Sequence, residues 1–303
     1  MASQTNSVKE KMRVAGISVF AAIFLTGSKL AIGLLTGSLG ILSEALHSAL
    51  DLVAAVITYF SVRISDKPAD RQHQFGHGKI ENFSALLETL LLVITCVWII
   101  YEAVNRLITG NVHLEVTAWS YIVVVSSIII DVTRSRALYK VARKYNSQAL
   151  EADALHFSTD IWSSAVVLVG LICANFGIYA ADSVAALGVA LIVLSVSYRL
   201  GKKAIGVLLD RSPATLSDEI SSIIGLIPEV SYFHDLKVRV SGADTFVNVT
   251  IHIDPKLNMR EAHAISDKVE EIICARINRC DVQIHYEPEE ENELKLEKTS
   301  TIK

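Results

Sequence analysis

Two histidine–aspartate pairs stand inside stretches apolar enough to cross a membrane. One is His47-x-x-x-Asp51 in SLGILSEALHSALDLVAAVITYFSV, the other His156-x-x-x-Asp160 in ADALHFSTDIWSSAVVLVGLI. Imidazole and carboxylate are costly in hydrocarbon, so ionisable groups placed there serve a function by default. The four-residue spacing puts both members of each pair on one helix face. If the two faces meet, two nitrogens and two carboxylates enclose a tetrahedral cage of the kind that holds zinc. The plainer alternative is a polar contact that glues helices together.

A second cluster, Asp70-Arg-Gln-His73-Gln-Phe-Gly-His77-Gly-Lys79, has a D-x-x-H-x-x-x-H spacing, with glycines that let the chain wrap a cation. A polar interfacial loop with incidental histidines reads the same way. The third cluster is C-terminal. His252 shares a strand face with Asn248 and Thr250, and His285 shares one with Gln283. Apolar residues fill the alternate positions, so these histidines point away from their own domain's core. His234, His263 and Glu287 join them only through the fold or a partner chain, and singly each reads as a solvated surface residue. Of nine histidines only His113 falls outside the three clusters. Asp131 has Arg134 one turn away, which reads as a local ion pair. Glu44 and Glu88 are candidates to line a water-filled cavity.

The elements that must position these groups follow from composition. The 303 residues are 51% hydrophobic and 20% charged, with a mean hydropathy of +0.41, which indicates a multi-span membrane protein. A net charge of −4 hides segregation: residues 13–209 are mostly apolar and 212–303 mixed and charged. The N-terminus is polar and the first apolar run lacks a small-residue cleavage pattern, so no cleaved signal peptide is expected. Cys96, Cys173, Cys274 and Cys280 form no CxxC and no paired framework, so no structural disulfide is expected.

About 20 apolar residues cross the hydrocarbon, which gives spans at roughly 13–36, 40–63, 80–107, 115–139, 150–175 and 181–201. One set of loops carries Lys9, Lys11 and Arg13, then Arg63, Lys67, Arg71 and Lys79. It continues with Arg134, Arg136, Lys140, Arg143 and Lys144, then Lys202, Lys203 and Arg211. The opposite loops hold almost nothing basic beyond Arg106, so both termini are expected in the cytoplasm. At a rise of about 1.5 Å per residue, His47 and Asp51 lie roughly 10 and 16 Å from the outer start of the second span. His156 and Asp160 lie roughly 10 and 16 Å from the inner start of the fifth. The pairs reach mid-bilayer from opposite directions, which favours the cage over two unrelated contacts.

After Pro213 the pattern changes. TLSDEISSIIGLI reads as an amphipathic helix, YFHDLKVRVSG and DTFVNVTIHID as two strands, NMREAHAISDKVEEIICARI as a second helix and CDVQIHYE as a third strand. The expected class is an α-helical membrane protein of six transmembrane helices followed by a cytoplasmic α+β domain in the order αββαβ, ferredoxin-like or metallochaperone-like. Four regions result: a cytoplasmic tail 1–12, the membrane domain 13–211, the cytoplasmic metal-binding domain 212–288 and a disordered charged tail 289–303.

With six spans, SEALHSALD, PADRQHQFGHGKIEN, HFSTD and the αββαβ domain all present, the sequence from about residue 10 to 288 resembles the cation diffusion facilitators, exporters of zinc and related divalent metals. The resemblance implies a transport site at His47, Asp51, His156 and Asp160, and a loop site at Asp70, His73 and His77. It further implies a dimer-interface cytoplasmic site drawn from His234, His252, His263, His285 and Glu287, and a Lys79–Asp210 salt bridge between the third and sixth helices. Prokaryotic members often have aspartate in place of His47, and the histidine form is more typical of zinc-preferring members. Glu287 stands where aspartate is common, keeping the carboxylate on a longer arm. The implied partners are a second copy of the chain, membrane lipid, Zn2+ and protons, with no nucleic acid. The cell (inner) membrane is the expected location.

No GxxxxGK[ST] loop is present, so nucleotide hydrolysis is excluded as the energy source. An imidazole must be neutral to bind metal, so loading releases protons and protonation ejects the metal. Alternating exposure of such a site exchanges zinc for protons. The rivals are a membrane-anchored metal sensor or scaffold, which needs no intramembrane quartet, and a passive channel, which a tight cage suits poorly. An enzyme is disfavoured because four protein ligands leave zinc no open position. Nitrogen and carboxylate ligands favour zinc, with iron the main competitor and cobalt, cadmium and manganese able to occupy similar cages.

Overall fold

A computed structural model describes residues 2–36, 39–109, 118–175, 180–277 and 279–289, which fall into two compact units dividing after Leu208. Six helices make the first unit: α1 (Ala2–Thr36), α2 (Leu39–Ser65), α3 (Lys79–Thr109), α4 (Ala118–Tyr145), α5 (Gln148–Asn175) and α6 (Ala180–Leu208). Within the described residues α1, α2, α3 and α6 are long and apolar enough to cross a membrane. Helices α4 and α5 carry more charge, with Asp131, Arg134, Asp153 and Asp160 turned into the bundle. Phe20, Phe24, Trp98 and Leu191 are exposed on its outside, a surface suited to lipid rather than water.

Close pairing of α1 with α2, α3 with α6 and α4 with α5 builds the bundle, and α2 meets α5 across it. Small side chains permit that closeness: Ala15, Ala22, Ala55, Ala142, Ala149 and Ala154 share a core with Val62, Leu138, Leu150 and Phe157. Gly33 is the tightest point, because a Cβ there would lie 2.8 Å from the Leu42 side chain and 3.1 Å from its amide nitrogen. The bare backbone at Gly33 therefore lets α1 settle against the start of α2, the helix that carries His47.

One sequence expectation changes. Residues 2–12 are not a tail but the first turns of α1, with Lys11 only 1% exposed. The polar composition of this stretch hid a helix that ion pairs join to the bundle. Lys144 and Tyr145 donate to Glu10 at 2.6 Å each, and Lys11 is enclosed by carboxylates.

The second unit contains α7 (Ala214–Ile224), β1 (Tyr232–Ser241), β2 (Asp244–Ile253), α8 (Met259–Arg276) and β3 (Cys280–Pro288), in the αββαβ order read from the sequence. The sheet order is β1-β2-β3, with β1 antiparallel and β3 parallel to β2. A parallel neighbour requires a crossover, and α8 supplies it. Asn258 starts that helix by accepting from the amides of Arg260 and Glu261, while Glu261 accepts from the Asn258 amide. Val247, Val249, Ile251 and Ile253 alternate on the face of β2 that packs against Ile220, Ile224, Val269 and Ile273 of the helices. The other face carries the polar groups, with Asn248 exposed and Thr250 and His252 buried.

Cys96, Cys274 and Cys280 are free thiols, and the side chain of Cys173 lies outside the described residues. Cys274 donates to the Cys280 carbonyl at 3.5 Å. The Cys280 thiol is pushed up to about 12, first by burial and then by the Cys274 side chain. The thiolate is the reactive form, so alkylation of Cys280 at pH 8 is expected to be on the order of 100-fold slower in the folded protein than in the unfolded chain. Peptide mass spectrometry after iodoacetamide treatment measures it.

Candidate metal-transport site

Where α2 crosses α5 the two HxxxD faces converge. His156 Nε2 lies 3.1 Å from Asp51 Oδ1 and 3.7 Å from Asp160 Oδ2, while His47 Nε2 lies 3.6 Å from Asp160 Oδ1 and 3.9 Å from Asp51 Oδ1. One ligand atom each of His47, Asp51 and Asp160 falls within 4.8 Å of the others, a spacing suited to one ion. Asp160 Oδ2 is buried without a hydrogen-bond partner, so a cation between the carboxylates would satisfy it.

Two cavities flank this quartet, and both reach His47 and Asp160. The larger, about 50 Å3, also touches Cys96, Thr159 and Ser163. The smaller, about 30 Å3, also touches Lys29, Ser48, Asp51, Ser127 and Asp131. Space of that size accommodates a water molecule, and the smaller cavity has the more polar lining. The larger is walled by α2, α3, α5 and α6 and the smaller by α1, α2, α4 and α5, and both extend past Asp160 to Ser163 on α5.

Several neighbours escaped the sequence reading. Asp153, one turn before His156, is fully buried and accepts from Ser18 at 3.4 Å. Lys29 is 5% exposed and donates to Ser48 at 2.9 Å. Both stood in the sequence as ionisable residues in apolar runs, the same signal that marked the histidines. The Asp131–Arg134 pair forms at 3.2 Å as read, but Arg134 does more. Its guanidinium also donates to Ser18 at 3.1 Å and lies 3.6 Å over the Phe157 ring. Glu88, expected to line a water-filled cavity, is fully buried and accepts from Thr58 and, at 3.2 Å, from Ser84. The side chain of Glu44 and all of His113 lie outside the described residues.

The loop between α2 and α3 closes on itself. Asp70 Oδ1 accepts from the amides of Gln72 at 2.8 Å and His73 at 2.7 Å, which holds its carboxyl below the usual range. His73 Nδ1 and His77 Nε2 each lie 3.3 Å from the same carboxylate. Gly76 makes this possible: at φ 76 it turns the chain so that its amide donates to the His73 carbonyl at 3.0 Å and His77 swings back.

On the polar face of the sheet, pairing sets the geometry. The parallel register places His252 opposite Glu287 and Thr250 opposite His285, and the antiparallel one places His234 opposite Thr250. Glu287 Oε2 lies 3.7 Å from His252 Nε2 and 3.9 Å from His234 Nε2, and Oε1 lies 3.2 Å from His285 Nε2. His263 is not brought into this group: it sits on α8, 3.6 Å from Asp267 and exposed. Lys79 donates to the Leu208 carbonyl at 3.3 Å, and Asp210 lies 4.0 Å from Arg239. Lys79 and Asp210 belong to different units.

Comparison with known proteins decides the family. The family model described as cation efflux transmembrane domain matches residues 16–209, and that described as cation efflux protein, cytoplasmic domain, matches residues 213–289. The chain belongs to the cation diffusion facilitator family. Among the similar proteins is the cation-efflux pump FieF of Yersinia enterocolitica, 34% identical over 263 residues, 84% of each chain. That of Cronobacter sakazakii is 32% identical over 256 residues, again 84% of each. That of Salmonella paratyphi A is 32% identical over 283 residues, 91% of this chain and 93% of the relative. As a cation diffusion facilitator the chain is a membrane transporter of divalent metal cations and not an enzyme. Its helical membrane domain is followed by a cytoplasmic domain with a small sheet.

Proposed function

We propose that this facilitator exports zinc from the cytoplasm in exchange for protons, holding the metal on His47, Asp51, His156 and Asp160. The observation that carries the reading is the convergence of two imidazoles and two carboxylates, from helices α2 and α5, beside two small cavities. The donor set is nitrogen and oxygen, which favours zinc over softer metals. The four donors are basic groups that compete for protons, so loading and protonation oppose each other.

The basic residues flanking α1, α2, α4 and α6 support cytoplasmic termini in the cell's inner membrane. The match to a dimerising cytoplasmic domain supports a homodimer in lipid. His234, His252, His285 and Glu287 form a regulatory metal site in that domain, which His263 joins from a partner chain. Asp70, His73 and His77 bind metal at the membrane boundary.

The test is flux into proteoliposomes carrying an interior pH dye, with zinc, iron(II), cobalt, cadmium and manganese offered in turn. Zinc entry that alkalises the lumen in proportion to metal moved supports exchange, and proportional acidification overturns it. Entry indifferent to an imposed pH gradient overturns it, and preference for another metal overturns the zinc assignment alone.

A further inference from the structure

At the opposite end of the bundle from the two cavities, a lysine is sealed among carboxylates. Lys11 Nζ lies 2.6 Å from Asp66 Oδ2 and 3.2 Å from Glu81 Oε1, and all three side chains are at most 6% exposed. Glu81 is itself held by hydroxyls: Ser65 donates at 3.1 Å and Ser147 at 2.6 Å. The cluster therefore ties α1, the end of α2, the start of α3 and the α4–α5 turn to one point. Between it and the quartet the interior is filled by Ala15, Val62, Leu138, Leu150 and Phe157, each at most 1% exposed.

We propose that Lys11 is the bolt of the gate at this end, and that a cation passes between the cytoplasm and the quartet only when the Lys11 pairs part. The inference rests on the exchange reading above for its purpose, but its geometry stands alone. The structure has space beside the quartet on one side and a packed plug capped by a charged knot on the other, which is one of the two states alternating access requires. Ions sealed from water separate only when each is rehydrated, so opening the knot admits water and loosens the plug together. It also leaves Asp66 and Glu81 as an acidic mouth with no resident cation, suited to receive a divalent metal.

The experiment uses the full-length protein with its four cysteines replaced by alanine and a reporter at Val62→Cys, one turn inward of Asp66 on α2. The rate of modification by a charged maleimide is read in detergent. Lys11→Ala and Asp66→Asn are each expected to raise it at least tenfold, and Lys11→Arg to leave it at the parent rate. Parent-rate labelling of Lys11→Ala and Asp66→Asn overturns the proposal. Where either fails to elute as a folded species, the exchanged pair Lys11→Asp with Asp66→Lys decides. Slow labelling supports the bolt, and fast labelling of that folded double variant overturns it. Labelling needs neither metal nor gradient, so failed zinc–proton exchange by the parent protein sinks the transport reading and leaves the gate intact.

Discussion

Asp51→Ala and His156→Ala are each expected to lower metal flux in proteoliposomes by on the order of 100-fold or more, since outer contacts to a metal alone are worth about 10–100-fold. The two residues come from different helices and meet at 3.1 Å, so either change opens one wall of the cage and leaves its partner without a counter-group. Asp160→Ala belongs with them, because Asp160 faces both His47 and His156. Lys268→Ala is the control: it removes an exposed pair with Glu229 in the soluble unit. Flux measured with the same protein density in each vesicle preparation checks the series. Wild-type flux in Asp51→Ala would remove the quartet from the transport path.

The second large effect is on stability. Arg134→Met is expected to cost about 3–5 kcal/mol, the loss typical when one partner of a buried ion pair is removed. Arg134 is 5% exposed and its guanidinium pairs with Asp131, bonds Ser18 and covers Phe157. Without it Asp131 on α4 and the nearby Asp153 on α5 stay buried and lose a compensating positive charge. Arg134→Lys keeps the charge but loses the planar fork and the ring stacking, so it should fall between the parent and Arg134→Met. Thermal unfolding followed by size-exclusion recovery in detergent ranks the three.

What was legible in the sequence is what periodicity and solvent chemistry write directly. The HxxxD spacing fixes a helix face, and ionisable side chains in apolar runs are conspicuous. Alternation along DTFVNVTIHID separated the core face of β2 from the face of His252, as the structure shows. The parts missed depend on partners remote in sequence. Lys11 looked like a solvated tail residue because Asp66 and Glu81, which bury it, lie 55 and 70 positions away. Arg134 was read from its neighbour on α4, yet its other contacts come from α1 and α5. The Glu287 cluster needed the parallel β2–β3 register, which no local pattern specifies.

The crossing of α2 and α5 has one more implication. Each of these helices is packed along its length against a different companion, α1 for one and α4 for the other, and the two touch over only a short stretch. The quartet thus bridges a seam between two stiff blocks. A tilt of one block against the other by a few degrees would draw Asp51 away from His156 without bending any helix, so on the proposed transport reading the ion's release would need a hinge and not a deformation.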